Sequence, residues 1–221
     1  MKKLCAVAVL VVAAAFAFGQ EMSVGGGVSY GSFWMAGGGN FTGGDMTETW
    51  SYPQLGFHGF FDAQYVEVGL GYYINSSQSD VVKQTGFSDN TTNTSYHASW
   101  LDVSVVGKYP FDLGGFTLFP LAGLEYMVNL TYTDSNGNDL KSLILPDYKN
   151  FLDALLVKFG LGADIPVAEK FYIRPELTIG YKILKSKYDS NGIDYYTSNG
   201  LSDAYLNWWN FRGAILVGYR L

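Results

Sequence analysis

The sequence predicts an all-β protein, an eight-stranded antiparallel up-and-down transmembrane β-barrel, and three observations carry that expectation. Apolar and polar residues alternate with a period of two in eight separate stretches, the connections between those stretches alternate short and long, and aromatic residues gather at their ends. A period of two means strands, because successive side chains point to opposite faces. Short turns at one end and long loops at the other suit a barrel in an outer membrane. Aromatic rings with a polar atom favour the boundary between lipid and water.

The first residues stand apart from this pattern. Lys2 and Lys3 precede an apolar run from Leu4 to Phe16 and a small-x-small exit at Ala17, Phe18 and Gly19, which predicts a signal peptide over residues 1–19 and a barrel domain over 20–221. The run is shorter than the roughly 18 to 20 apolar residues that span a membrane as a helix. The single cysteine, Cys5, falls inside this leader, so the mature domain is expected to fold without disulfides.

The seventh stretch, Phe171 to Leu184, shows the alternation most clearly. Phe171, Ile173, Leu177, Ile179, Tyr181 and Ile183 share one face; Tyr172, Arg174, Glu176, Thr178 and Lys182 share the other. The remaining stretches are expected at Met22 to Trp34, Tyr52 to Phe61, Gln64 to Ile74, Tyr96 to Tyr109, Phe116 to Leu130, Phe151 to Ile165 and Trp208 to Leu221. Short turns fall near Asp62-Ala63, Pro110 to Gly115 and Pro166 to Lys170. Long polar loops cover Met35 to Ser51, Asn75 to Ser95, Thr131 to Asn150 and Lys185 to Asn207. Pro120 and Pro175 each remove a ladder donor, and a shared bulge near the short-turn rim is the expected accommodation.

Trp34, Trp50, Trp100, Trp208 and Trp209 all lie at the long-loop ends of stretches and are the candidate interface aromatics, although the alternation turns Trp50 and Trp100 inward. Phe61, Tyr109, Phe116, Phe171 and Tyr219 mark the opposite rim. With the apolar face outward, the lumen receives Glu67, Asp102, Glu125, Asp164 and Glu176 against Lys108, Lys158, Arg174, Lys182, Arg212 and Arg220. An eight-stranded barrel is about as wide as its own side chains, so a paired plug is expected ahead of an open pore. A soluble barrel of lipocalin type, with the faces reversed, is the alternative fold.

The run from Arg174-Pro175-Glu176-Leu177 to Gly180-Tyr181, together with Tyr219 near the end of the chain, resembles the small eight-stranded outer-membrane barrels of the OmpA, OmpX and OmpW type. Leu221 departs from the terminal aromatic usual in that family. The resemblance implies the outer membrane of a diderm bacterium, outer-membrane lipid as surroundings, and a monomer.

Removing Lys2 and Lys3 leaves 12 bases against 20 acids, a net charge near −8 that disfavours nucleic acid. His58 and His97 are the only histidines, so no metal site is expected, and Asp134 to Asp139 reads as a turn; no cofactor is expected either. His97-Ala98-Ser99 resembles the His-x-Ser of barrel lipid A deacylases, which makes His97 and Ser99 candidate catalytic residues, but Trp100 stands where that family has Asn. The leading expectation is a non-enzymatic surface barrel whose loops meet an extracellular partner, for adhesion or envelope structure. A narrow solute channel comes second and a lipid A-modifying enzyme third.

Overall fold

The computed structural model describes residues 21–141, 152–184 and 187–221. The expected signal peptide, residues 1–19, lies outside the described residues, as do Phe151 and residues 142–150 of the loop before it.

Among the described residues eleven strands form one antiparallel sheet: β1 (Met22–Phe41), β2 (Gly44–Ala63), β3 (Val66–Asn75), β4 (Gln78–Gln84), β5 (Asn90–Thr94), β6 (Tyr96–Lys108), β7 (Phe111–Asp112), β8 (Thr117–Asp134), β9 (Ala154–Pro166), β10 (Phe171–Lys182) and β11 (Ser202–Arg220). A helix, α1 (Lys187–Ser198), sits between β10 and β11. Strands β1, β2, β3, β6, β8, β9, β10 and β11 pair in a ring that β1 and β11 close, from Ser23↔Arg220 upward. The N–H of Leu221 donates to the carbonyl of Met22 at 2.9 Å and completes the seam.

The extra strands belong to the same wall. Positions paired between β2 and β3, such as Leu55↔Ile74, shift by one residue where β2 meets β4, as in Ser51↔Ser79, so β4 continues β3 past a break at Ser76-Ser77. In the same way β5 runs into β6 across Ser95. Eight wall positions therefore account for all but the two-residue β7.

The faces resolve the choice of fold. Leu177 is 70% exposed and Phe57 69%, with Leu55, Leu70, Phe159, Leu161 and Ile215 beside them on the outside, whereas the charged face lies within. That is the transmembrane arrangement, and it excludes the soluble barrel with an apolar interior.

Several boundaries differ from the sequence expectation. Met35 to Ser51 is not a loop: β1 and β2, 20 residues each, stay paired from Met22↔Ala63 to Phe41↔Gly44 around Thr42 and Gly43. A strand needs roughly 9 to 11 residues to cross a bilayer, so this ribbon projects well beyond it. The run Gly37-Gly38-Gly39 hides the ribbon in the sequence because it has no hydrophobic alternation to read. The turn near residue 63 falls at Gln64 and Tyr65, with Gln64 in the left-handed region at φ 56°.

No bulge occurs at either proline. Pro120 pairs with Leu161 and Pro175 with Ile215 inside unbroken registers. The Pro120 carbonyl accepts from the Tyr109 N–H at 3.2 Å, so its missing donor also faces the β6 side, just past the end of that pairing at Lys108↔Leu121. At Pro175 the β9 ladder skips two residues and resumes at Glu176↔Gly162 in the same register. Within single strand pairings, register shifts occur instead at Gly38/Asn40 and Ser99/Trp100, near the opposite rim.

Candidate functional site

Alternation sends every second side chain of the ring inward, and together those side chains fill the barrel in layers. At the short-turn end Arg174, fully buried, is the hub. Its Nε and Nη2 donate to the two oxygens of Asp164 at 2.5 and 2.9 Å, Nη2 also reaches Asp62 at 2.6 Å, and Nη1 donates to Glu67. Lys108 pairs with Asp62 and lies 4.0 Å from Glu67. The guanidinium is stacked between the rings of Phe60 and Phe119, 4.3 and 4.8 Å from their centroids. Fork geometry and flat delocalised charge are what let arginine serve three carboxylates and two rings at once.

The next layer is built around Glu125 and Arg212. Arg212 Nη1 donates to Asp102 at 2.9 Å and to Glu125 at 3.1 Å, while Lys158 Nζ lies 3.2 Å from Glu125 and 3.9 Å from Glu176. Tyr73 lies 3.9 Å from the Arg212 guanidinium carbon, and buried His58 belongs to the same level. Above it an apolar layer takes over, formed by Phe33, Met35, Tyr52, Trp100, Met127, Leu156 and Trp208 among others.

Helix α1 covers the top, packed on β11 and β1. Its Asp189 is buried, accepts from the Trp208 indole N–H at 2.6 Å and pairs with Lys182 at 3.0 Å. Tyr196 donates to Glu48 at 3.0 Å. Burial raises the Glu48 carboxyl above the ordinary range; the Tyr196 bond opposes that shift and the nearby Asp80 charge adds to it.

Nine of the eleven charges expected in the lumen, Glu67, Asp102, Lys108, Glu125, Lys158, Arg174, Glu176, Lys182 and Arg212, are buried inside the ring, and Asp164 is half-buried against Arg174. Two more acids join them. In the sequence Asp62 falls in a turn, although the outward Phe61 beside it is the parity signal that places it inside. Asp189 comes from a helix in a loop, where strand alternation gives no signal. Arg220 stays at the short-turn mouth, 5.6 Å from the Tyr172 ring. Among the described residues the interior thus holds Asp62, Glu67, Asp102, Glu125, Asp164, Glu176 and Asp189 against five bases, an acidic balance rather than the near-neutral one expected.

The tryptophans divide. Trp34 and Trp209 face outward, against Phe211 at 5.6 Å and Tyr181 at 4.6 Å respectively. Trp100 and Trp208 are buried inside and are not interface residues; Trp50 is half-buried against the apolar layer. At the other rim Phe171 meets Tyr219 edge-on at 5.1 Å.

His97 and Ser99 do not form a dyad. Ser99 Oγ is buried and hydrogen-bonded to Thr131 Oγ1 at 2.7 Å, while His97 is exposed. The cleft they line contains Asn75, Ser77 and Thr131 but no carboxylate among the described residues. No group of acids, histidines or cysteines suited to a metal ion occurs among the described residues.

Fold and interior together define a transmembrane β-barrel of eight strands filled by its own side chains. No model of a protein family matches the chain, and no curated protein matches it. Among solved structures, the N-terminal β-barrel domain of Pseudomonas aeruginosa OprF is similar over 90% of this chain and 97% of its own, at 13% identity and a TM-score of 0.42. Neisserial surface protein A matches over 89% and 99%, at 10% identity and a TM-score of 0.40. Ail, the attachment invasion locus protein of Yersinia pestis, matches over 89% and 99%, at 12% identity and a TM-score of 0.28.

Proposed function

We propose that this chain is a non-enzymatic, monomeric integral protein of the outer membrane of a diderm bacterium, that its lumen is sealed, and that its work is done by the structure it raises outside the cell. The observation that carries this reading is the contrast between interior and rim. Two ion-paired layers and an aromatic layer fill the ring, while β1, β2, β4, β5, β11 and α1 build an ordered platform beyond the lipid. A surface that only sealed a barrel would need short turns. Here the wall is extended by paired strands, which suits recognition by a rigid sheet better than by flexible loops.

Fractionation and heat-modifiable migration test the membrane assignment. The mature protein is expected in the outer-membrane fraction, with an unboiled sample that migrates faster than a boiled one. Recovery as a monodisperse soluble protein without detergent would overturn the assignment.

A further inference from the structure

The wall rises unevenly. On one side β11, β1, β2, β4 and β5 extend past the membrane as a curved sheet, and α1 packs at its β11 and β1 end. At the other end β5 pairs, among the described residues, with β4 alone, from Gln78↔Thr94 to Val82↔Asn90, and all five of its residues are exposed. Among the described residues no strand takes its second edge. Natural edges are commonly blunted by lysine, proline or a bulge. β5 reads Asn-Thr-Thr-Asn-Thr, has none of these, and keeps an unbroken register. The charges at the tip of its hairpin, Lys83 and Asp89, are paired with each other at 3.0 Å.

We propose that β5 is a homotypic pairing strand whose open edge receives β5 of a second copy of this chain in a facing membrane; this rests on the surface-barrel reading above and names its partner. Antiparallel pairing centred on Thr92 sets Thr92 against Thr92, Thr91 against Asn93 and Asn90 against Thr94. Threonine pairs are favourable across strands, and no like charges meet. Elsewhere a copy with a net charge of −6 over the full sequence, or near −8 without Lys2 and Lys3, repels its twin; β5 is a stretch of that surface without charge.

Symmetry selects the facing membrane. Two copies in one bilayer share their axis direction, and a two-fold along the membrane normal makes equivalent tilted strands cross rather than run antiparallel. A two-fold lying between two bilayers lays the same edges side by side. Five residues give few backbone hydrogen bonds, so a single junction is weak and apposed arrays of copies act together.

The test uses proteoliposomes of the mature chain and two double variants, Thr91→Lys with Asn93→Lys and Thr91→Glu with Asn93→Glu. Both positions are exposed and lie opposite Val81 and Ser79, so neither variant disturbs the interior. Heat-modifiable migration of the vesicle protein reads insertion separately from clustering, so failure of the membrane assignment is distinguished from failure of pairing. Wild-type vesicles should cluster by light scattering, and more strongly as salt screens the acidic surfaces. Each variant alone should cluster roughly tenfold less or weaker still, because two like-charged cross-strand pairs oppose every junction. Mixing lysine vesicles with glutamate vesicles should restore clustering, now weakened by salt. Inserted wild type that leaves vesicles dispersed, variants that cluster like wild type, or a mixture that stays dispersed would each overturn the proposal.

Discussion

Arg174 on β10 and Asp164 on β9 form a bidentate pair, with Nε and Nη2 at 2.5 and 2.9 Å from the two carboxylate oxygens. The same guanidinium also serves Asp62 and Glu67. Removing it leaves three carboxylates without their shared cation in a buried layer. Arg174→Met is therefore expected to lower stability by about 3–5 kcal/mol, read as the urea unfolding midpoint of detergent-refolded protein. Arg174→Lys keeps the charge but loses the fork, and should fall between the two. A wild-type midpoint in the methionine variant would contradict the hub.

The side-by-side tryptophans of β11 give a second expectation. Trp209 faces lipid and Trp208 faces the interior. In variants retaining one tryptophan each, brominated lipid should quench Trp209 strongly and Trp208 weakly. Equal quenching would mean that the register of β11 is wrong.

Glu48 ties the helix to the ribbon through Tyr196 at 3.0 Å. Its native pKa is raised by burial, so the folded state holds the proton more tightly than the unfolded chain does. The cost of the ionised form is absent below the ordinary value of about 4.3 and grows as pH rises through the raised native value. Glu48→Gln should consequently slow hydrogen exchange in α1 at neutral pH and change it little near pH 4. Faster exchange at neutral pH in the variant would show that the charged carboxylate, not its neutral form, holds the helix.

Small residues make room for the rings of the lowest layer. A Cβ on Gly218 would overlap the Tyr172 ring, whose hydroxyl meets Ser23 Oγ at 2.7 Å. Overpacking of this kind costs about 1–3 kcal/mol, so Gly218→Val should lower the urea midpoint accordingly. Pairing it with Tyr172→Leu should recover part of the loss; no recovery would point to the backbone of β11 instead.

How much of this was legible in the sequence depends on the kind of signal each residue carries. The eight wall positions follow from period-two alternation, and that alternation also placed Arg174, Glu125 and Arg212 on the inner face. It failed where alternation is silent. The glycines at 37–39 concealed the continuation of β1, and Asp189 enters the interior from a helix. Asp62 was hidden by its position beside a turn. Pro120 and Pro175 suggested bulges because a missing donor ordinarily demands one; at Pro120 the donor's place lies beyond the end of β6, a relation between strands that no local pattern reveals. The His97 and Ser99 spacing was legible, but the bond that occupies Ser99 comes from Thr131 across the β6 to β8 pairing, a relation no local pattern shows.

Single-channel recording of the folded, refolded-in-detergent protein in planar bilayers tests the sealed lumen most directly. The layered interior predicts no steady openings in the wild type, and openings only after a layer is emptied, as in Lys158→Ala combined with Arg212→Ala. Steady ohmic openings in the wild type, altered by the same substitutions, would show that ions pass through the charged layers and would contradict the account.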